Sequence, residues 1–349
     1  MRKSVFDLSF EEVLDFTSRA GEPAYRARQI WQGIYQRYAA DFSELTDLPV
    51  GLRRALSEEF DVQVVRPIRS VQSTDRRTTK TLLRLRDGQP IESVLMRYDP
   101  DSFRGRTRRT ACISTQAGCA MGCSFCATGQ MGFRRNLSSG EIVAQVIHYA
   151  SQLRGEGDSL TNVVFMGMGE PFHNYDNFMA AIARLSDPDG FGFGARRMTV
   201  STVGLVPQIR RFADEGLQVN LAVSLHAVDD AERSSMMPVN RKYPIQDVIN
   251  ACRYYVERTG RRITFEWALI GGVNDTAKSA RDLARLLKGL LCHVNCIPLN
   301  PTLGYSGSPS PPDRVAAFQA VLRASGVPCT VRARRGVEIG GGCGQLVVV

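Results

Sequence analysis

The chain has 349 residues, of which 43% are hydrophobic and 23% are charged. This length allows one large α/β domain with a smaller appendage, and the composition excludes disordered, collagen-like and coiled-coil proteins. The formal net charge is +9, and only five of the 44 basic residues are lysine. An arginine-rich excess suits phosphate oxygens and suggests a polyanionic partner, although a genomic bias towards arginine codons explains the composition equally well.

Targeting and membrane segments are not evident in the sequence. No run of 18 apolar residues is present, and the first residues lack the apolar stretch of a signal peptide. We therefore expect a cytosolic (cytoplasmic) protein that does not enter a membrane. Nine cysteines are too few for a disulfide scaffold, and clustered thiols in a reducing compartment are better interpreted as metal ligands or reactive groups.

Helical periodicity dominates the N-terminal region. Apolar residues recur at helical spacing over 10–19, 25–38 and 52–60, which predicts a small helical module over residues 1–75. Residues 79–85 and 91–98 alternate apolar and polar side chains around Asp87-Gly88. This alternation is typical of a β-hairpin, and we expect residues 76–105 to form a hairpin bridge to the main domain.

Strand-like and helical patterns alternate in the main domain, which we assign to residues 106–335. Strands are predicted at 110–114, 162–166, 198–202, 219–224, 263–270 and 292–297. Six βα units imply an α/β fold whose parallel sheet curls into a partial (β/α)6 barrel similar to a TIM barrel. A capping box at Ser138 predicts the start of the helix that follows the first of these strands. The loop between that strand and this helix therefore lies at the carboxyl edge of the sheet, where barrels carry their active sites. A helix at 314–324, a last strand at 329–333 and a glycine-rich tail at 336–349 follow.

Three cysteines on the loop after the first of these strands have the spacing C-x3-C-x2-C: Cys119, Cys123 and Cys126. Three thiolates on one turn can hold three irons of a [4Fe–4S] cluster and leave the fourth iron open. An electron carrier would normally add a fourth cysteine, and a structural zinc site would want four ligands at paired spacings. The nearest other cysteine is Cys112, on the strand itself. Zinc binding and buried structural thiols stay open as alternatives.

The cysteine loop resembles the signature of the radical S-adenosylmethionine (SAM) enzymes, and motifs along nearly the whole chain are similar to those of the RlmN/Cfr family of RNA methyltransferases. The matching segments include 42–49, 108–112, 119–135, 163–171, 201–204, 224–226, 297–301 and 343–346. The resemblance implies a radical SAM barrel with one [4Fe–4S] cluster, ligated by Cys119, Cys123 and Cys126. It also implies that SAM binds the open iron and that two SAM molecules are consumed per turnover.

Polar residues at the ends of several strands are the candidate SAM contacts. The segment Gly167-Met168-Gly169-Glu170 follows the second strand; its glycines would let the backbone approach a ligand, and Glu170 offers an acceptor for an ammonium group. Without the resemblance, this glycine-rich segment could equally be an ordinary turn, and His226 could be a buried histidine with a structural role only. By resemblance, seven residues contact SAM: Gly169, Glu170, Ser201, Ser224, Leu225, His226 and Asn300.

The resemblance assigns three residues to catalysis. Cys343 would carry a methyl group from SAM to C2 of adenine, a carbon that is not nucleophilic. Cys112 would then attack the Cys343 sulfur, form a disulfide and release the product, and Glu92 would remove the C2 proton. Cys343 lies in a glycine-rich segment, which suggests a mobile loop, and an exposed strand position is the alternative interpretation of Glu92. The other cysteines are interpreted as buried structural thiols: Cys252, Cys292, Cys296 and Cys329.

The implied substrates are 23S ribosomal RNA, at an adenosine of the peptidyl transferase centre, and certain transfer RNAs. The other expected partner is an electron donor such as flavodoxin with its reductase, and we expect a monomer. An adenine must be extruded from folded RNA before it can reach a buried cluster. Six arginines are predicted to flank the entrance, where they could neutralise phosphates: Arg104, Arg106, Arg108, Arg109, Arg134 and Arg135.

Two other functions are compatible with these residues. A Cfr-like enzyme would share the cluster and both catalytic cysteines but would methylate C8 of the same adenosine; residues 45–49 and 237–241 are more similar to the C2-methylating type. A protein of another class would bind RNA or sense redox state through an iron–sulfur cluster without catalysis. Such a protein would need neither a cofactor pocket nor a carrier thiol.

Overall fold

A computed structural model describes residues 2–99 and 107–348. Its helices are α1 (Phe10–Arg19), α2 (Tyr25–Tyr35), α3 (Val50–Glu59), α4 (Ala127–Gln130), α5 (Ser139–Gly155), α6 (Tyr175–Ser186), α7 (Val206–Asp214), α8 (Asp230–Met236), α9 (Ile245–Thr259), α10 (Ala277–Leu286) and α11 (Pro312–Ala324). Its strands are β1 (Lys3–Ser4), β2 (Phe60–Asp61), β3 (Val65–Gln72), β4 (Thr78–Leu85), β5 (Pro90–Tyr98), β6 (Arg108–Cys112), β7 (Gln116–Gly118), β8 (Phe133–Asn136), β9 (Asn162–Phe165), β10 (Met198–Thr202), β11 (Asn220–Ser224), β12 (Ile263–Leu269), β13 (Cys292–Pro298) and β14 (Cys329–Val331).

The N-terminal helices pack on the outside of the main domain. Helix α1 begins with a capping box between Ser9 and Glu12, which satisfies two backbone N–H groups at the helix start. Helix α2 buries an apolar face, and its Trp31 indole N–H donates to Asp187 Oδ2 at 2.8 Å. Helix α2 ends at Tyr35, short of the predicted residue 38, and Tyr38 has a positive φ of 60° that no right-handed helix contains.

A single ten-stranded sheet forms the centre of the molecule, in the order β14-β13-β12-β11-β10-β9-β6-β5-β4-β3. Strands β6 and β9 to β14 run parallel to one another. The predicted partial barrel is confirmed, and β14 adds a seventh parallel strand to the six predicted βα units. Because parallel strands share one carboxyl edge, the loops that follow them meet at the same end of the barrel.

The antiparallel part of the sheet differs from the expectation. The predicted hairpin exists as β4 and β5, but β5 pairs antiparallel with β6, so the hairpin continues the barrel sheet. Residues Val65–Gln72, assigned above to the helical module, form strand β3 on the edge of the same sheet. Most of β3 is exposed, and it contains Pro67 and a bulge. It therefore lacks the apolar alternation by which a strand is recognised.

The core lies on both faces of the parallel strands, as βα units require. Helix α11 packs on β12 through Phe318, whose ring stacks on that of Trp267 with centroids 5.8 Å apart. Within the described residues, none of the helices is both long and apolar enough to cross a membrane.

Candidate active site

The three-cysteine loop connects β7 to α4 at the carboxyl edge of the barrel. Cys123 is buried, Cys119 and Cys126 are partly exposed, and all three are free thiols. Gly129 on α4 allows the loop to close, because a Cβ there would lie 2.9 Å from the carbonyl oxygen of Cys123. Burial raises the pKa of Cys119 to about 12 and that of Cys123 well above its usual value. These thiols become thiolates only beside a strong positive charge, which a metal centre supplies.

The three cysteine thiols suit a cluster in which each thiolate binds a different iron. In residues 2–99 and 107–348, no three His, Cys, Asp or Glu side chains converge where one metal ion could bind them together. A [4Fe–4S] cluster does not require such convergence, since each thiolate binds its own iron. Three thiol groups on one short loop, beside an open cavity, therefore fit a cluster with one iron free of protein ligands.

That cavity, which we call the cluster cavity, has a volume of about 160 Å³ and lies between the cysteine loop and the barrel strands. Cys123 and Cys126 line one side of it, and the polar lining comes from the carboxyl-terminal halves of the strands, the loops that follow them and the C-terminal tail. Those polar residues are Glu170, Ser201, Thr202, Ser224, His226, Glu266, Asn300 and Cys343. The rule that parallel strands present their chemistry at one edge thus holds for every strand from β9 to β13.

Glu170 is a buried carboxylate with no cation paired to it in the described residues. Its Oε1 accepts the N–H of Phe172 at 3.0 Å, and its Oε2 accepts the N–H of Val203 at 2.8 Å. Burial raises the pKa of Glu170 to about 7. Glu170 lines the cluster cavity, and each carboxylate oxygen has two lone pairs, so the group can accept further hydrogen bonds from an ammonium ion, whose charge would lower the pKa again.

The glycines before Glu170, Gly167 and Gly169, line the cluster cavity and are also required by the packing beneath it. A Cβ at Gly167 would lie 2.7 Å from Ser114 Oγ, and a Cβ at Gly169 would lie 2.5 Å from Gln116 Cβ. Gly169 also has a φ of +100°. Both glycines are therefore required for close packing against the chain that follows β6, and this packing positions Glu170.

His226 is buried and neutral. Its Nδ1 accepts the N–H of Ala268 at 2.9 Å, so the ring proton lies on Nε2. Burial lowers the pKa of His226 to about 3. The residue has a φ of 61°, an unusual backbone conformation for a residue other than glycine, and its ring packs edge-on against Phe125 of the cysteine loop. A strained residue between the loop and the cavity is typical of a binding position.

The remaining predicted SAM contacts divide into two groups. Ser201, Ser224 and Asn300 line the cluster cavity. Leu225 is fully buried in the core and does not line this cavity. Asn300 also holds the tail, because its Nδ2 donates to the carbonyl oxygen of Cys343 at 3.0 Å.

The two catalytic cysteine candidates line a second cavity of about 90 Å³, the tail cavity, which shares Asn300 and Cys343 with the cluster cavity. Cys112 is the last residue of β6, and Cys343 lies on the C-terminal tail. Cys343 is exposed to the cavity although protein surrounds it, and burial raises the pKa of its thiol. Burial likewise raises the pKa of Cys112 to about 12, and a negative charge on Cys343 would raise it further.

The tail around Cys343, whose glycines predict a mobile loop, is held by hydrogen bonds in this structure. The Ala127 N–H donates to the Gly344 carbonyl at 2.8 Å, and Thr128 Oγ1 donates to the Leu346 carbonyl at 2.6 Å. Both donors belong to α4, the helix that begins directly after Cys126. The carrier thiol is therefore attached to the same helix that closes the cysteine loop.

Glu92 is buried beside the tail and is not on the lining of either cavity. Its Oε1 lies 2.8 Å from Lys80 Nζ, and its Oε2 accepts the N–H of Val347 at 3.0 Å. Burial raises the pKa of Glu92, and Lys80 opposes this rise. The alternative of an exposed strand glutamate is excluded, because only 5% of Glu92 is accessible.

The arginines predicted at the entrance are largely engaged elsewhere. Arg109 pairs with Asp158 at 2.5 Å, and Arg135 pairs with Asp87 at 2.6 Å and with Glu141 at 2.7 Å. The guanidinium of Arg108 lies over the Tyr98 ring. Arg134 lies on β8, outside both cavity linings, and Arg104 and Arg106 are outside the described residues. The arginines that do line the tail cavity follow the last strand: Arg332, Arg334 and Arg335.

Sequence reasoning missed Arg233, although it organises the site. Arg233 is fully buried on α8 and donates to the carbonyls of Val203, Ser224 and Leu225 and to Asn240 Oδ1. It thereby ties together the chain ends that follow β10 and β11. Burial lowers the pKa of Arg233 to about 10, so the group stays charged at neutral pH. An arginine within an amphipathic helix gives no sequence signal for this role.

Replacing Arg233 by methionine should lower the free energy of unfolding by roughly 3 kcal/mol, because several buried acceptors lose a charged donor while the cost of burying the charge is relieved. The measurement is the urea midpoint of cluster-loaded protein under anaerobic conditions. The matched control is Arg281→Met on the exposed side of α10, for which a change within about 0.5 kcal/mol is expected. Equal midpoints for the two variants would contradict the assigned role.

Comparison with known proteins gives a consistent result. Residues 113–286 match the model of the Radical SAM superfamily, and residues 4–62 match the ribosomal RNA large subunit methyltransferase N-terminal domain. The chain is 51% identical to dual-specificity RNA methyltransferase RlmN 1 of Myxococcus xanthus, over 98% of this chain and 94% of that protein. It is 46% identical to ribosomal RNA large subunit methyltransferase N of Nitrosopumilus maritimus, over 96% of each. A crystal structure of a radical SAM methyltransferase from Sphaerobacter thermophilus aligns with a TM-score of 0.95 and 52% identity, over 99% of each chain.

Proposed function

We propose that this chain, which belongs to the RlmN family of radical SAM methyltransferases, methylates C2 of an adenosine in 23S ribosomal RNA and in certain transfer RNAs. The observation that carries the proposal is the joining of the cluster cavity and the tail cavity at Cys343. A thiol at that junction can accept a methyl group on the SAM side and deliver carbon on the Cys112 side. A non-catalytic iron–sulfur protein would have no use for this arrangement.

The residues of the cluster cavity fit the two cofactors. Cys119, Cys123 and Cys126 would hold the [4Fe–4S] cluster, and Glu170 would accept the SAM ammonium group. Ser201, Ser224, His226 and Asn300 would contact the rest of SAM. When bound, the cluster and SAM together supply a methyl group and a 5′-deoxyadenosyl radical.

Two thiols carry the transfer in the proposed reaction. Cys343 would take a methyl group from SAM by displacement, with S-adenosylhomocysteine as the leaving group. This S-methyl group would give one hydrogen atom to the 5′-deoxyadenosyl radical, and the resulting carbon radical would add to adenine C2. Glu92 would remove the C2 proton, and the bound cluster would supply the acceptor for the one electron that the adduct must lose. The Cys112 thiolate then attacks Cys343 Sγ, so the C–S bond breaks, a Cys112–Cys343 disulfide forms, and the released carbon takes up a proton to become the new methyl group.

The base candidate Glu92 gives a pH prediction. Glu92 must be ionised to accept a proton, and the adjacent Lys80 lowers the pKa that burial raises. In Lys80→Met the pKa of Glu92 should rise further, so methylation is lost over a wider acidic range. We expect the acidic limb of the single-turnover pH–rate profile to move up by one pH unit or more, on the order of a lost buried ion pair.

The control for this prediction is Lys288→Met, far from the site at the opposite end of the barrel. An acidic limb that stays in place in Lys80→Met, with a uniformly reduced rate, would show that Lys80 only supports the fold.

The domain assignment and the partners form the rest of the proposal. The helical part of the module, up to the start of β3, would form an accessory RNA-binding module, and β3 to β5 would extend the barrel sheet. Residues 106–335 would form the radical SAM barrel and 336–349 the tail that bears the methyl carrier. Arg334 and Arg335, which line the tail cavity, would contact phosphates of the RNA as its adenine enters. The enzyme would act in the cytosol as a monomer and receive electrons from a flavodoxin-type donor.

The decisive experiment is anaerobic reconstitution of the cluster, followed by reaction with a 23S ribosomal RNA transcript, SAM and a chemical reductant. Digestion to nucleosides and comparison with 2-methyladenosine and 8-methyladenosine standards locates the new methyl group. The proposal expects 2-methyladenosine, whereas 8-methyladenosine would support the Cfr-like alternative. An intact cluster that produces no methylated adenosine would refute the function, and a transfer RNA transcript tests the second substrate in the same way.

A further inference from the structure

We propose that the arginine-bearing inner face of β3 and β4 is a docking surface for the phosphate backbone of the RNA substrate. This surface, the arginine platform, consists of Arg66, Arg69 and Arg84. The inference rests on the proposed RNA methyltransferase function and extends it by locating a contact surface away from the catalytic groups.

Strand register places these arginines on one face of the sheet. Arg84 of β4 is directly opposite Arg66 of β3, and Leu82 of β4 is opposite Arg69. Arg84, Leu82 and Lys80 alternate along β4 and therefore point to the same side. The three arginines are all exposed.

The same face continues into the active site. Lys80 is opposite Val94 of β5, and Val94 is opposite Cys112 of β6. Val94 and Cys112 both line the tail cavity. Lys80, Val94 and Cys112 thus lie in one row across three strands. Arg84 lies four residues, about 14 Å, beyond Lys80 along β4, and β4 lies two strand spacings, about 10 Å, from β6. The platform is therefore about 17 Å from Cys112, within reach of the same bound RNA.

The two faces of β4 have different surroundings. The opposite face is buried through Thr79, Thr81, Leu83 and Leu85, beneath α5, whose Tyr149 hydroxyl lies 2.9 Å from Ser93 Oγ of β5. The platform face carries no such cover over its arginines. An open, basic sheet face beside a buried one is a surface for a partner of opposite charge.

The charges of the platform are not balanced within the described residues. The neighbouring carboxylates are already engaged: Glu92 with Lys80, Asp61 with Arg86, and Asp87 with Arg135. Arg66, Arg69 and Arg84 form no ion pair in the described parts of the chain. Like charges directly across two strands repel each other, and an anion between Arg66 and Arg84 would reverse that cost. Arginine forks suit phosphate oxygens, so the RNA backbone is the expected anion.

The test compares RNA binding by cluster-loaded wild-type protein and by the triple variant Arg66→Gln/Arg69→Gln/Arg84→Gln. The probe is the 23S ribosomal RNA transcript, titrated over a series of KCl concentrations. Three lost phosphate contacts should reduce the slope of log K against log[KCl] by about 2 to 3. We expect binding on the order of 10- to 100-fold weaker near 0.1 M salt, a raised KM for RNA and an unchanged kcat.

The matched control is Arg196→Gln/Arg197→Gln, two adjacent exposed arginines before β10, at the opposite end of the parallel strands. This variant should bind RNA as the wild type does. An unchanged salt slope in the triple variant, or a lower kcat at unchanged KM, would overturn the platform while the wild-type enzyme still methylates RNA. A wild-type protein that neither binds nor methylates the transcript would overturn the proposed function as well.

Discussion

Replacing Cys112 by alanine is expected to leave the protein covalently attached to its RNA. In the proposed reaction the adduct is resolved only when a thiolate attacks Cys343 Sγ. Cys112 and Cys126 also line the tail cavity, and Cys112 is the one of the two that is not assigned to the cluster. Removal of an attacking nucleophile lowers a rate by roughly 10³-fold or more. Release of methylated RNA should therefore fall by about that factor, while a protein–RNA band accumulates on a denaturing gel.

The adduct identifies its own site, because nuclease digestion and mass spectrometry should place the nucleotide on the peptide that contains Cys343. The matched control is Cys292→Ala, a buried cysteine at the other end of the barrel that should release product normally. Normal release by Cys112→Ala without an adduct would show that another group resolves the intermediate.

Replacing Cys343 by alanine is expected to abolish RNA methylation and adduct formation together. The variant has no sulfur to receive the methyl group, and adenine C2 cannot take it from a sulfonium directly. The cysteine loop is untouched, so the iron content and visible absorption of the reconstituted cluster should match the wild type. Methylated RNA should fall by roughly 10³-fold or more, as for the loss of a covalent nucleophile.

The second readout for this variant is the protein itself. Wild-type protein incubated with SAM should contain S-methylcysteine at residue 343, and the variant should contain none. Residual methylation of RNA by Cys343→Ala above a no-enzyme control would refute the carrier role and require direct transfer by another route.

The parallel strands could be predicted from the sequence because their signals are local. A buried βα unit contains a short apolar run, a turn and an amphipathic helix, so β10 has its predicted bounds and β9 and β11 differ by one residue each. Strand β3 could not be found in this way. It is held by pairing with β4, and its own exposed, arginine-containing sequence resembles a loop.

The site was predictable where a residue type and its place on a strand end agree. Ser201, Ser224, His226 and Asn300 all line the cluster cavity, as expected for residues at one edge of the barrel. Other site residues could not be predicted, because their interaction partners are distant in the sequence. Arg109 and Arg135 look like free surface arginines in the sequence, but Asp158 and Glu141 bind them. The same edge rule, applied to the last strand, would have indicated Arg334 and Arg335.

The tail that carries Cys343 is the last part of the chain to be translated. Every cluster ligand and every strand of the main sheet precedes residue 332 in the chain, whereas the carrier thiol is residue 343. A polypeptide that terminates between these points would contain every cluster ligand and every strand of the main sheet but would lack the sulfur that receives the methyl group in the proposed reaction. In the proposed reaction, incomplete translation products would therefore form no covalent adduct with RNA, because the adduct is attached through the carrier sulfur.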